Sequence, residues 1–248
     1  MGARYGQHFL IDESVIDQEL ALANLKPDDV VLEVGPGKGA LTKRLAEQVK
    51  EVIAVEVDRF LIKSLESEIP GNVKLIEGDI VKLGLETLPK FNKVVTNLPY
   101  QISSPFTFQL LKYPFERAAI IYQLDFALRM TAEPWMYDYS RLSVGVYYYS
   151  ECELIRKIPP GAFRPQPRVD SALVTLLPRS KPAFEVKDEE FFFDIVRVLF
   201  NHRRKTVRAV LKNHLKSIDE DLPFLSLRVE EMSPEEIGLL SNLLFEAQ

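Results

Sequence analysis

The hydrophobic positions change period along the chain. Between residues 30 and 123, apolar runs of strand length alternate with longer stretches at helical spacing. The runs are VVLEV (30–34), VIAVEVD (52–58), VKLIEGDI (73–80), KVVTNL (93–98) and AAIIYQ (118–123). GALTKRLAEQVK (39–50) and FLIKSLESEI (60–69) are the amphipathic stretches between the first three. Runs of Val, Ile and Leu with little polar alternation belong to strands covered on both faces. The region therefore predicts a parallel sheet with helices packed on it. Right-handed crossovers bring the carboxyl end of every such strand to one edge of the sheet.

Residues 140–150 read as a helix despite their Val and Tyr content, and CELIRKI (152–158) and SALVTLL (171–177) as the last two strands. The Pro-rich link PPGAFRPQPRVD between these two is of a kind that closes an antiparallel pair. Past Arg179-Ser180-Lys181-Pro182 the strand signal ends. DEEFFFDIVRVLF, KTVRAVLKNHL and SPEEIGLLSNLLF then repeat at 3.6 residues. The pattern predicts an α/β domain over residues 1–180 and a small all-α domain over 181–248, with the boundary at Lys181–Pro182.

A chain of 248 residues, 46% of them hydrophobic, can build cores for one large and one small domain. MGARYGQHFLIDES has no apolar signal region, and no stretch approaches 18 uninterrupted apolar residues. Neither a secretory signal nor a membrane span is expected, and the expected location is cytoplasmic. Cys152 is the single cysteine, so no intrachain disulfide can form. His8, His202 and His214 lie far apart, without HExxH or paired CxxC, and no metal site is expected. The net charge of -5 argues against general coating of nucleic acid. It hides a segregated run, however: Arg203, Arg204, Lys205, Arg208, Lys212 and Lys216 occur with no acid between them. Such a run makes a local anion-binding face, a solvated helix face, or a set of internal ion pairs.

Candidate chemistry lies at the strand ends. The first strand runs into Gly35-Pro36-Gly37-Lys38-Gly39, a turn either for close backbone approach to a ligand or for a tight corner. Its GxGxG spacing is neither the dinucleotide fingerprint nor a P-loop. The second strand ends in Glu56, placed either to accept ribose hydroxyls of an adenosine-containing ligand or to face solvent. The third ends at Asp79, which either accepts from an adenine amino group or caps the next turn. The fourth ends in Asn97-Leu98-Pro99-Tyr100.

In that order these four endings resemble the class I S-adenosylmethionine-dependent methyltransferases, and NLPY resembles the amino-methylating motif of their N6-adenine branch. GQHFL (6–10), YSRLS (139–143), FRPQPRVDS (163–171) and FNHRRKT (200–206) narrow the resemblance to the ribosomal RNA adenine N6,N6-dimethyltransferases. Two departures stand out: His8 and Gln101 occupy positions where many bacterial members carry Asn.

The resemblance implies an α/β Rossmann-like class I methyltransferase sheet, mostly parallel with the last strand antiparallel, and a small C-terminal all-α domain. It implies S-adenosyl-L-methionine as cofactor, held by His8, Leu10, Gly35, Gly37, Glu56, Asp79 and Asn97. Asn97 and the Leu98 carbonyl would hold the adenine amino group, with Pro99 fixing the loop. Tyr100 and Phe163 would form the walls, unless either is a core residue. Arg164, Arg168, Arg203, Arg204, Lys205 and Arg208 would contact RNA phosphates. The expected activity is dimethylation of two adjacent adenosines near the 3′ end of small-subunit rRNA, with a role in ribosome biogenesis. The expected partner is that rRNA, within a pre-ribosomal small subunit, for a monomeric enzyme. The alternatives are a large-subunit rRNA methylase of the erythromycin-resistance type and a non-catalytic assembly or nucleic-acid-binding factor.

Overall fold

The computed structural model of the protein describes residues 7–214 and 219–247. Gly6 of the GQHFL motif and Lys216 of the basic run lie outside the described residues. The strands are β1 Phe9–Leu10, β2 Val30–Val34, β3 Glu51–Glu56, β4 Val73–Glu77, β5 Lys93–Asn97, β6 Arg117–Gln123, β7 Ser150–Ile158, β8 Phe163–Arg164 and β9 Ser171–Pro178. The helices up to the last strand are α1 Glu13–Ala23, α2 Ala40–Ala46, α3 Arg59–Leu65, α4 Ile80–Leu83, α5 Ser103–Leu110, α6 Leu124–Thr131 and α7 Arg141–Tyr149. Three more follow: α8 Glu189–Asn201, α9 Val207–His214 and α10 Pro234–Glu246. Among the described residues no helix is long and apolar enough to cross a membrane.

Seven strands form one sheet in the order β4-β3-β2-β5-β6-β9-β7. Its first five strands pair in parallel, and β9 pairs antiparallel with β6 from Ala118↔Leu176 to Gln123↔Ser171. The mostly parallel sheet with an antiparallel last strand is thus observed. Parallel strands carry unbroken apolar runs because both faces are covered. On one face Val31, Val52, Val95, Ala119, Ile121 and Leu173 pack with Ile16 and Leu20 of α1 and with Leu41 and Leu45 of α2. Each large side chain buried this way contributes roughly 1.5–3 kcal/mol. The strand expected over 52–58 stops at Glu56. Asp58 instead caps α3, accepting from Phe60 N at 2.9 Å.

Contacts divide the chain differently from a single cut at 180–181. One unit comprises the described residues up to Ala127 together with Glu151–Pro178; the other comprises Leu128–Ser150 and the residues from Arg179 onward. In this division residues 128–150 group with the later helices and not with the α/β part, unlike the single cut expected. Helix α7 is the reason: Val144 and Tyr148 pack in a cluster with Phe192, Val196, Val210 and Leu240 of the later helices. A second correction concerns the Pro-rich link, which contains a strand of its own. In it β8 pairs antiparallel with β1, with Phe9 opposite Arg164 and Leu10 opposite Phe163, and the Arg164–Pro165 peptide is cis.

A buried ion pair ties the amino-terminal ends of the central strands. Lys93 Nζ lies 3.3 Å from Asp29 Oδ2 and donates to the Ala23 and Asn24 carbonyls at 3.2 and 2.5 Å, at the end of α1. Asp29 also accepts from Lys26 N and Asn92 Nδ2, each at 2.7 Å, while Asn92 accepts from Val30 N. Removing one partner leaves the other buried and uncompensated, so Lys93→Met is expected to cost about 3–5 kcal/mol in urea unfolding. The double variant Asp29→Asn/Lys93→Met is expected to recover much of that loss. A single variant as stable as the parent would show the pair to be dispensable.

Candidate active site

Four parallel strands end at one cavity of about 700 Å³, and each contributes a different kind of group. Past β2, Gly35 N donates to Val55 O at 2.8 Å, carrying the glycine turn across the end of β3. Gly35 and Gly37 have φ of 72° and 59°, in the left-handed region that glycine alone enters freely. A Cβ on Gly35 would stand 3.3 Å from Pro99 Cγ, and one on Gly37 would stand 2.7 Å from the Phe9 ring. Glycine is therefore required at both positions by the close packing of Pro99 and Phe9 as well as by the turn.

Glu56 ends β3 and is 4% exposed, so the solvent-facing alternative does not hold. Its Oε1 accepts from Val57 N and Asp58 N, each at 2.9 Å, and its Oε2 accepts from Gly37 N at 3.3 Å. Burial raises its pKa more than these hydrogen bonds lower it. Asp79, beyond β4, lines the cavity and also caps α4, with Oδ1 accepting from Val81 N at 3.1 Å. The capping reading of Asp79 is observed, and its place on the cavity lining leaves the other reading open to a ligand test.

Beyond β5, the Asn97 side-chain nitrogen donates to the His8 carbonyl at 2.9 Å, which leaves its Oδ1 as the remaining acceptor. Leu98 N donates to Ile121 O at 3.2 Å and anchors the loop, while Pro99 has no N–H to offer. Tyr100 is half-buried, and its hydroxyl lies 2.6 Å from Ser171 Oγ at the start of β9. The β1–β8 ribbon closes the other side and brings His8, Leu10 and Arg164 to the cavity. Because a carbonyl only accepts, the 2.7 Å contact from His8 Nδ1 to Pro165 O places the proton on Nδ1.

The cavity thus gathers all the expected cofactor residues and the Asn97–Tyr100 loop. Phe163 is corrected. It has no exposed surface and packs with Leu10, Ile158 and Leu173 in the core, so in this structure it forms no wall. Arg168 is exposed and is not among the cavity-lining residues. Arg203, Arg204, Lys205 and Arg208 belong to the second unit. There Arg203 pairs with Glu230 at 2.9 Å, Arg208 pairs with Glu220, and Lys212 pairs with Glu220 at 2.8 Å. Arg204 and Lys205 are exposed.

Two contributors escaped the sequence reading. Phe9 packs against Gly37 and has Lys38 Nζ 5.3 Å from its ring centroid. Glu33 lines the cavity at 2% exposure, with Oε2 buried and without a hydrogen-bond partner. Burial pushes its pKa up to about 8, and the nearby Glu56 charge adds to the rise. The signal for Glu33 was present: it is the one acid inside the apolar run VVLEV.

Known proteins resemble this chain along most of its length. The family described as ribosomal RNA adenine dimethylase matches residues 2–238. A Pyrococcus abyssi protein named "Probable ribosomal RNA small subunit methyltransferase A" is 45% identical over 255 residues, covering 98% of this chain and 91% of its own. A Methanosarcina acetivorans protein of the same name is 43% identical over 257 residues, with 99% and 94% covered. Among solved structures, a dimethyladenosine transferase from Plasmodium falciparum superposes with TM-score 0.82 at 27% identity, with 97% and 98% covered. The 23S rRNA methyltransferase ErmE superposes with TM-score 0.73 at 29% identity, with 94% and 98% covered.

Glu33 makes stability depend on pH. Its carboxyl, ordinarily near 4.5, is pushed up to about 8 by burial in the fold, so the folded chain holds a proton that the unfolded chain releases. The stabilisation is fully present below about 4.5 and is lost as pH rises through about 8. Glu33→Gln stays neutral throughout. Its urea midpoint is expected to gain on that of the parent between pH 5 and pH 9, by an amount on the order of a few kcal/mol in stability. A difference that stays constant across that range would mean that Glu33 is ionised in the fold.

Proposed function

The chain belongs to the ribosomal RNA adenine dimethylase family, and from that premise we propose that it converts two adjacent adenosines near the 3′ end of small-subunit rRNA to N6,N6-dimethyladenosine. The protein is an rRNA adenine methyltransferase. The observation that carries the adenine-methylating chemistry is the convergence of four consecutive strand endings, Gly35–Gly37, Glu56, Asp79 and Asn97–Tyr100, on one cavity, while the small-subunit target is supported by the names of the relatives. S-adenosyl-L-methionine is the cofactor of this reading, and the residues fit it. Gly35 and Gly37 line the cavity where a methionine moiety would lie, with no side chain of their own projecting from the turn. Glu56 has a fixed, buried carboxylate for ribose hydroxyls, and Asp79 has a second oxygen for an adenine amino group.

When bound, that cofactor supplies an electrophilic methyl group. The chain's own part is to prepare the nucleophile. The exocyclic nitrogen of adenine is a poor nucleophile because its lone pair is delocalised into the ring. Asn97 Oδ1 and the Leu98 carbonyl would accept hydrogen bonds from its N–H groups and draw the lone pair out of conjugation, and the proton displaced on methylation leaves to solvent. The acceptors are preorganised, since the Asn97 amide is held by the His8 carbonyl and the Leu98 backbone by Ile121. Dipoles fixed before charge develops are the usual source of large rate gains. Tyr100, braced by Ser171, offers a face on which an extruded base stacks. Arg164, at the cavity mouth on the β1–β8 ribbon, is placed for a phosphate, while Arg168, Arg204 and Lys205 are exposed for others. The enzyme acts in the cytoplasm as a monomer, on rRNA within a pre-ribosomal small subunit.

Two experiments test this reading. With labelled S-adenosylmethionine and unmethylated ribosomal subunits, dimethyladenosine is expected in small-subunit RNA after nuclease digestion. Label confined to large-subunit RNA would instead assign the erythromycin-resistance type of activity. Subunit binding without any label would leave an assembly factor. In the same assay Asn97→Ala is expected to lower kcat by at least about 100-fold, the scale of one lost preorganised group. Its melting temperature is expected to stay within a few degrees of the parent. Full activity in that variant would overturn the role of Asn97.

A further inference from the structure

The loop between α6 and α7 exposes three large side chains in succession: Trp135 at 72%, Met136 at 51% and Tyr137 at 89%. A mobile tip would explain such exposure without any function, but this backbone is pinned. Trp135 N donates to Glu230 O at 2.8 Å, and Tyr137 O accepts from Arg203 Nη1 at 3.1 Å. Arg203 Nε in turn donates to Glu230 Oε2 at 2.9 Å, so both anchors meet in one ion pair. Tyr139 closes the loop, buried, with its hydroxyl donating to Met232 O at 3.0 Å. Trp135 also has φ 71°, a left-handed conformation unfavourable for a large side chain. The loop is therefore held so as to present two aromatic rings to solvent, where burial would otherwise be favourable.

We propose that Trp135 and Tyr137 form a stacking platform for unpaired bases of the RNA substrate, separate from the pocket that takes the methylated adenine. The inference rests on the proposed rRNA substrate. Flat rings stack on any base without reading its sequence, and exposed cations beside them hold the phosphates between bases. Arg204 and Lys205, the two residues after the Arg203 that anchors the loop, are exposed and supply those cations. A prefixed backbone also lowers the ordering cost of binding.

Trp135 is the only tryptophan, so its fluorescence reports on this loop alone. Titration of the full chain with a single-stranded RNA oligonucleotide of mixed sequence is expected to quench it saturably. Affinity, read separately by anisotropy of labelled RNA, is expected to fall about tenfold in Trp135→Ala and in Tyr137→Ala. Trp135→Phe, which keeps a flat ring, is expected to stay within about threefold of the parent, in line with a stacking role. Unchanged RNA affinity and unchanged KM for subunits in Trp135→Ala/Tyr137→Ala would overturn the proposal. So would quenching by anionic vesicles but not by RNA. Methyl transfer by the parent chain, measured alongside, keeps the two readings apart. If the parent methylates subunits and the double variant does so equally well, only the platform fails. A parent that methylates nothing refutes the proposed reaction instead, while the fluorescence titration still decides whether the loop binds RNA.

Discussion

The central constraint on this fold is that β2 and β5 must part. Strand β2 lies between β3 and β5, and the chain winds outward from it in both directions. The two strands share only the pairs Val31↔Lys93 and Leu32↔Val94. Beyond them the hydroxyl of Thr96 takes over, donating to Val34 O at 2.7 Å and accepting from Val34 N at 3.2 Å. That clasp satisfies the last backbone groups of β2 while letting the Gly35 turn and the Asn97 loop separate. At the other end, the Asp29–Lys93 pair holds the same two strands together. A crevice at the carboxyl ends follows from this arrangement, as expected at a switch point in an open parallel sheet.

The charges follow from the same topology. Glu33, Glu56 and Glu19 are all buried in the α/β unit. Burial raises the pKa of each, strongly for Glu19, where the nearby Glu33 charge adds to the rise. A neutral acid is far cheaper to bury than a carboxylate, which is the physical cause of these upward shifts. Glu56 differs in drawing on three backbone N–H groups and can carry charge at the crevice. The crevice is thus rich in acceptors, which suits a ligand bearing hydroxyl and amino donors.

Much of this was legible in the sequence, because the strands that build the crevice are local features. VVLEV coincides with β2, the strands after it fall within a few residues of their expected bounds, and the helical tail is present as read. The β1–β8 ribbon was not legible. Each strand has two residues, too few for a period, and they pair Phe9 with Arg164 across most of the unit. Nor does amphipathic spacing say which core a helix joins, so α7 could not be assigned before its contacts with Phe192 were seen. Phe163 shows the limit of a motif: a sequence match does not distinguish a wall from the core behind it, and in this structure burial decides for the core.

The basic run shows a similar limit for charge. In sequence it is an acid-free cluster, yet Glu230 and Glu220 reach it from later in the chain and pair with Arg203, Arg208 and Lys212. Exposed pairs of this kind contribute little to stability. The Arg203–Glu230 pair has a clearer consequence, since it fixes the backbone on which Trp135 and Tyr137 stand. Much of the cationic cluster is therefore scaffold, with Arg204 and Lys205 left at the surface. A protein of pI near 5.4 has no general field that attracts phosphates, so RNA affinity would rest on local cations and on contacts that do not depend on net charge. Aromatic faces meet that requirement, because stacking does not depend on net charge.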